Sequence, residues 1–390
     1  MRTIYSHVGQ DLDSTSSIFT VRKLVKGFSI SVNEFVPADF DGKGMRPEDI
    51  AVDITVGGKG LKGNPDENGK VHSCFRLLIE KYASKELQET LHPLVQFIDS
   101  QDTFGSAYDT LCPGLKENKK TAEIFGLTGI NQVFRALQTI TAEECKARQG
   151  TVFDETIYNK MIPIYEGFFK GGHKAKSLRL PFAMLIDKWM KNHQSPEDKE
   201  ALSPLLEFSK LHIDVHKHHE PTIKDDVRDI FYETSIVGVY GAIRAVCNEK
   251  ETEEKMFEIF EGMLRNGISR QKKKLRAKRA KLFANGKVAL AEHLGKGVER
   301  FLFEDGVKIL IYTNDLVTGV LRSYYEEGFR IGHPKLLEIV ERYGEAKDWF
   351  AKEYKYSNGG DRRPPKYQSK VPPMELVKVA IEILEEFEKR

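Results

Sequence analysis

His7, Asp11 and Asp13 stand close together in the segment Ser6-His7-Val8-Gly9-Gln10-Asp11-Leu12-Asp13-Ser14. One imidazole and two carboxylates form a donor set for a divalent cation. Oxygen donors with a single imidazole favour hard to intermediate ions such as Mn²⁺ or Mg²⁺. Asp11 and Asp13 are one residue apart in what reads as a loop, so both carboxylates can turn toward one point, where they repel unless a cation sits between them. The same residues also read as a turn and an N-cap built from Asp11 and Ser14, with His7 ending a strand. Spacing alone leaves both readings open.

The elements around this segment would have to position it. Thr3–Ser6 reads as a short strand, and Ser14–Val25 carries Ile18, Val21, Leu24 and Val25 at helical spacing. Ser29–Phe35 alternates as a strand does, and Ile50–Val56 is a β-branched run ended by Gly57-Gly58. With the following helix, Val71–Ala83, the rhythm is that of a parallel α/β sheet. In such sheets sites form beyond the carboxyl ends of strands, where Asp11, Asp13 and Asp53 would all fall.

From Glu86 to about Cys247 the pattern is helical, with segments at His92–Ile98, Asn131–Ile140, Ile157–Phe169, Ala183–Asn192, Leu202–His212 and Ile236–Val246. Met256 to about Phe283 reads as one long helix. Strands return at Val288–Ala291, Val307–Tyr312 and Val317–Ser323, a loop runs from Tyr356 to Pro373, and an amphipathic helix starts at Met374. The expected organisation is an α/β chain: a parallel-sheet metal-binding domain over 1–150, a helical cap or linker over 151–250, and a smaller α+β substrate domain over 251–390.

A chain of 390 residues, 40% hydrophobic and 30% charged, has the composition of an ordinary globule. No apolar run approaches the roughly 20 residues of a membrane span, no signal peptide is visible, and a cytoplasmic location is expected. Cys74, Cys112, Cys145 and Cys247 show neither a disulfide framework nor zinc spacing. Net charge is only +2, but Arg270–Lys287 is strongly basic and contains no acidic residue. That stretch, with Lys273 and Arg276, could track a nucleic-acid backbone or be a solvated helix face. His212, His216, His218 and His219 cluster before Pro221 and read as surface histidines ending a helix.

Three motifs carry a resemblance. The segment from Ser6 to Ser17 resembles the first motif of the DHH phosphoesterase superfamily. Ala51-Val52-Asp53-Ile54 with Gly57-Gly58 is similar to the second, and Phe97-Ile98-Asp99-Ser100-Gln101-Asp102-Thr103 to the fourth. Within the superfamily the likeness is to the Myg-type exonuclease group (the melanocyte proliferating gene family), and it continues weakly through Asn285–Ala291, Glu299–Glu304 and Val307–Tyr312. The resemblance implies two ions bridged by Asp53, with His7 and Asp11 on one, Asp13 on the other and Asp102 completing the set. It also implies Asp99 as an outer carboxylate, and Asp53, Asp11 and Asp13 as the catalytic carboxylates.

The third motif, Asp-His-His, is absent from the chain, which leaves Asp66 and His72 as substitutes; His72 is either a ligand or a residue at a helix boundary. Gly359-Gly360 with Arg362 and Arg363 falls where the family carries a Gly-rich substrate loop and could clamp a phosphate, or could be a solvated loop. The implied function is metal-dependent hydrolysis of a phosphodiester, in short RNA or DNA. The alternatives are a degenerate member that binds nucleic acid or nucleotide without hydrolysing it, and a phosphatase acting on a nucleotide or pyrophosphate. Whether the chain forms a homodimer stays open.

Overall fold

The computed structural model describes residues 1–54, 56, 71–111, 119–174, 178–214, 225–293, 295, 297–314, 317–322, 333–352, 355–358 and 369–389. They form two compact units, Met1–Ile268 and Ser269–Arg390. The helical stretch over 151–250 lies within the first unit.

In the first unit, β1 (Thr3–His7) leads into α1 (Leu12–Leu24), then β2 (Val32–Val36) and β3 (Ile50–Ala51). Both outer strands pair parallel to β1, in the order β2-β1-β3. The chain continues through α2 (Cys74–Tyr82), α3 (Lys85–Phe104), α4 (Ala107–Leu111), α5 (Lys119–Thr128), α6 (Ile130–Glu144) and α7 (Thr151–Phe169). The series runs on through α8 (Arg179–Met190), α9 (Pro196–Ala201), α10 (Ser203–Asp214), α11 (Asp225–Glu233) and α12 (Ile236–Arg244) to α13 (Glu249–Ala277), whose residues up to Ile268 belong to this unit and the rest to the second.

Helix α1 is the element that joins sheet to helices, and its sequence is unusually rich in hydroxyls. Ser14, Thr15, Ser16, Ser17 and Thr20 are all fully buried. Thr15, Ser16 and Thr20 satisfy themselves by donating to carbonyls of their own helix, as at Thr15 Oγ1 to Asp11 O (2.8 Å) and Ser16 Oγ to Leu12 O (2.6 Å). Small side chains let α1 sink into the core. There Thr15 Oγ1 meets the hydroxyl of Tyr165 on α7 at 2.6 Å, while Ile18, Phe19 and Val21 pack among Phe75, Leu78, Phe97, Met161 and Phe168. Helices α7 and α12 cross almost backbone to backbone: a Cβ at Gly167 would lie 1.9 Å from the carbonyl oxygen of Ala242.

The second unit holds β4 (Lys281–Phe283), β5 (Val288–Glu292), α14 (Glu299–Glu304), β6 (Ile309–Asn314), β7 (Val317–Arg322), α15 (Pro334–Arg342), β8 (Phe350–Lys352), β9 (Lys355–Ser357) and α16 (Pro373–Glu388). Its mixed sheet has the order β4-β5-β6-β7-β9-β8, with β5 and β6 parallel across α14. Val288, Leu290, Ile309 and Ile311 face α15 and α16, while Ala289, Ala291, Leu310 and Tyr312 face α14. Burial on both faces explains why β5 and β6 read as continuous apolar runs.

Several expectations are corrected. The long helix stops at Ala277, and Lys281–Phe283 is instead a strand paired antiparallel with Val288–Leu290. The expected loop from Tyr356 begins inside β9. Asp13 lies in the first turn of α1 and not in a loop.

Candidate metal centre

Beyond the end of β1 the chain turns at Gly9, whose φ of +83° suits glycine, and enters α1 at its N-cap, Asp11. Asp11 Oδ1 accepts from Ser14 N at 2.9 Å, and Ser14 Oγ accepts from Asp11 N at 2.8 Å. The capping role read from the sequence is therefore real, and it leaves the other oxygen free to serve elsewhere. Asp11 Oδ2 lies 3.9 Å from His7 Nε2, on a side chain that is half-exposed. Asp53 follows β3 with φ of 55°, a left-handed backbone tolerated by Asp and Asn, and its Oδ2 sits 2.9 Å from His7 Nε2.

Asp13 points the other way along the same turn. Its two oxygens accept from Cys74 N (2.9 Å) and Phe75 N (2.8 Å), the first amides of α2, so the carboxylate rests on a helix N-terminus. Ser73 caps that helix. Asp99 and Asp102 lie three residues apart on α3. Asp102 meets Asp13 and Asp53, whereas Asp99 accepts from Ser73 N (2.8 Å) and Arg76 Nη1 (2.9 Å) and faces His72 Nδ1 (3.2 Å).

Among the described residues, two groups bring one donor atom each to within 4.8 Å of one another: His7, Asp11 and Asp53, and Asp13, Asp53 and Asp102. Asp53 belongs to both. His72, the sequence candidate for a further ligand, is in neither group and presents Nδ1 to Asp99. The amides of Cys74 and Phe75, which hold Asp13, have no counterpart in the sequence reading.

The electrostatics match a cation. Burial raises the Asp11 carboxyl above its ordinary value, and the charge of Asp53 raises it further. Asp13 is pushed well above the ordinary range, first by burial, then by the charges of Asp53, Asp102 and Asp11. Burial alone would lower the His7 imidazole, but its hydrogen bond to Asp53 and the charges of Asp53 and Asp11 outweigh that and bring it to about 9. Carboxylates that oppose one another's ionisation around a histidine are a donor set whose repulsion a divalent ion would relieve.

One pH effect follows. Without metal, His7 holds its proton from the ordinary 6.5 up to about 9, and its pairing with Asp53 contributes stability that is complete below 6.5 and lost as pH rises through 9. To ligate, the ring must be neutral. Mn²⁺ uptake at pH 7.5 is therefore expected to release close to one proton from His7 and none from it at pH 10, as calorimetry in buffers of different ionisation enthalpy would show.

Of the substrate-side candidates, Gly359, Gly360, Arg362 and Arg363 lie outside the described residues, as do His216, His218 and His219. Lys273 and Arg276 belong to the second unit, where Lys273 Nζ and Arg276 Nη1 approach Gly297 and Gly295. No helix among the described residues is long and apolar enough to cross a membrane. No protein-family model, no curated protein and no solved structure matches the chain.

Proposed function

We propose that the chain is a two-metal phosphoesterase of the DHH type, using Mn²⁺ or Mg²⁺ to hydrolyse a phosphodiester, with short RNA or DNA as substrate in the manner of the Myg-type group. The observation that carries this reading is that Asp53 is shared between two convergent donor groups. His7 and Asp11 would hold one ion, Asp13 and Asp102 the other, with Asp53 between them. When bound, two such ions supply the Lewis acidity and charge neutralisation that in-line displacement at phosphorus requires. The protein's part is rigid placement: Asp11 is fixed by the cap of α1, Asp13 by the amides of α2, and Asp53 by its left-handed backbone.

A second reading, that of a fold that binds nucleic acid or nucleotide without turnover, is favoured by His72. The Asp-His-His motif is missing, and this histidine near the start of α2 faces Asp99 and lies outside both donor groups. The deciding assay offers short RNA, short DNA, a cyclic dinucleotide and pyrophosphate to the purified chain with Mn²⁺, with Mg²⁺ and with EDTA. Ion-dependent release of mononucleotides from RNA or DNA is the expected result. Tight Mn²⁺ binding with no hydrolysis of any of the four would replace the first reading with the second, and cleavage of pyrophosphate alone would identify a small-molecule phosphatase.

A further inference from the structure

The loop that carries two of the metal donors is pinned from a helix far away in the chain. Between His7 and Asp11, the amide of Gly9 donates to both carboxylate oxygens of Asp154, at 3.2 and 3.1 Å, and the amide of Gln10 donates to Oδ1 at 3.1 Å. Asp154 stands in the first turn of α7 and is fully buried. A second pin comes from α6, where Gln138 Nε2 donates to Gln10 O at 3.1 Å. Gln10 itself is buried and donates from Nε2 to His7 O at 2.7 Å and to Ser6 Oγ at 3.2 Å.

A carboxylate taken out of water is costly unless it is paired or strongly hydrogen-bonded. The hydrogen-bond partners of Asp154 are the two loop amides together with its own helix cap; burial raises its carboxyl, and the nearby charge of His7 acts in the opposite direction. A neutral acceptor would satisfy those amides at lower desolvation cost. What the charge adds is strength, since hydrogen bonds to an ionised acceptor are about twice as strong as neutral ones. The turn held this way is the one that aims His7 and Asp11.

We infer that Asp154 is a positioning residue for the ion held by His7 and Asp11, fixing the Gly9–Gln10 turn so that both donors meet Asp53 at one point. This rests on the metal reading above. Asp13 and Asp102 are placed by α1 and α3, with Asp13 held by the amides of α2, and Asp154 touches none of them. The effect is therefore confined to one of the two positions, which a general loss of stability would not produce.

The test is Mn²⁺ titration of the full chain followed by pulsed EPR, with circular dichroism and melting of the metal-free protein alongside. Asp154→Asn retains shape but loses the charge, and it is expected to weaken the His7–Asp11 position about 10- to 100-fold and to diminish the imidazole nitrogen coupling to Mn²⁺. The Asp13–Asp102 position keeps its affinity. Gln138→Leu, at a partly buried side chain, is expected to weaken the same position less. Should Asp154→Asn fail to fold, Gln138→Leu decides alone. Two ions bound by the variant with wild-type affinity and coupling, or an equal loss at both positions, would overturn the proposal while leaving the metal reading intact. A wild-type chain that binds no Mn²⁺ removes both.

Discussion

Asp53→Asn is expected to lower metal-dependent hydrolysis on the order of a thousandfold or more, because a bridging carboxylate serves both ions and each contributes several kcal/mol of charge stabilisation. Asn matches Asp in shape, so the loss should come without collapse of the fold. The same variant should fail to gain from metal. At an ion concentration 100 times its dissociation constant the wild-type chain is stabilised by about 2.7 kcal/mol, visible as a metal-dependent rise in melting temperature. The variant should show none of it at the same concentration. Activity that survives the substitution would remove Asp53 from the reaction, and an undiminished metal-dependent rise would remove it from the site.

The second large effect is on folding. Gly167→Ala should destabilise the chain by at least about 3 kcal/mol, since a methyl group there meets backbone, and a helix axis cannot swing aside as a side chain can. The Ala242 carbonyl oxygen and carbon would lie 1.9 and 2.2 Å from the new Cβ. Gly126, within α5, has nothing within 4 Å of the equivalent position. Gly126→Ala is expected to stabilise by about 0.5–1 kcal/mol through helix propensity and the lost freedom of the unfolded chain. Urea denaturation of both variants provides the comparison. Equal stability of the two would mean that α7 and α12 do not cross at Gly167.

The part of the site that was legible in the sequence was the part written in local pattern. The alternation of strand and helix through the first fifty residues pointed to a parallel sheet, and Asp11, Asp13 and Asp53 do lie beyond the carboxyl ends of β1 and β3, with His7 the last residue of β1. Asp11 presented two readings because it performs two tasks, one with each oxygen. What was not legible depends on distance or on groups without a letter. Backbone amides such as those of Cys74 and Phe75 have no residue identity to read, and Asp154 is separated from Gly9 by 145 positions. The helix drawn through Phe283 failed for a different reason. Lys281–Phe283 continues a basic pattern but pairs with Val288–Leu290 through a turn with positive φ at Ala284, Asn285 and Gly286. Asn-Gly there was a hairpin signal that helical periodicity overrode.

The left-handed backbone at Asp53 also bears on how such a protein could change over evolutionary time. At that φ the residues admitted without strain are chiefly Gly, Asn and Asp. Codons for Asn and Gly are each a single base change from one for Asp. On the proposed reading, a lineage can therefore lose the shared carboxylate in one step while the chain still folds. If the proposed function holds, hydrolysis in such a protein is one base change away from being lost with the fold kept.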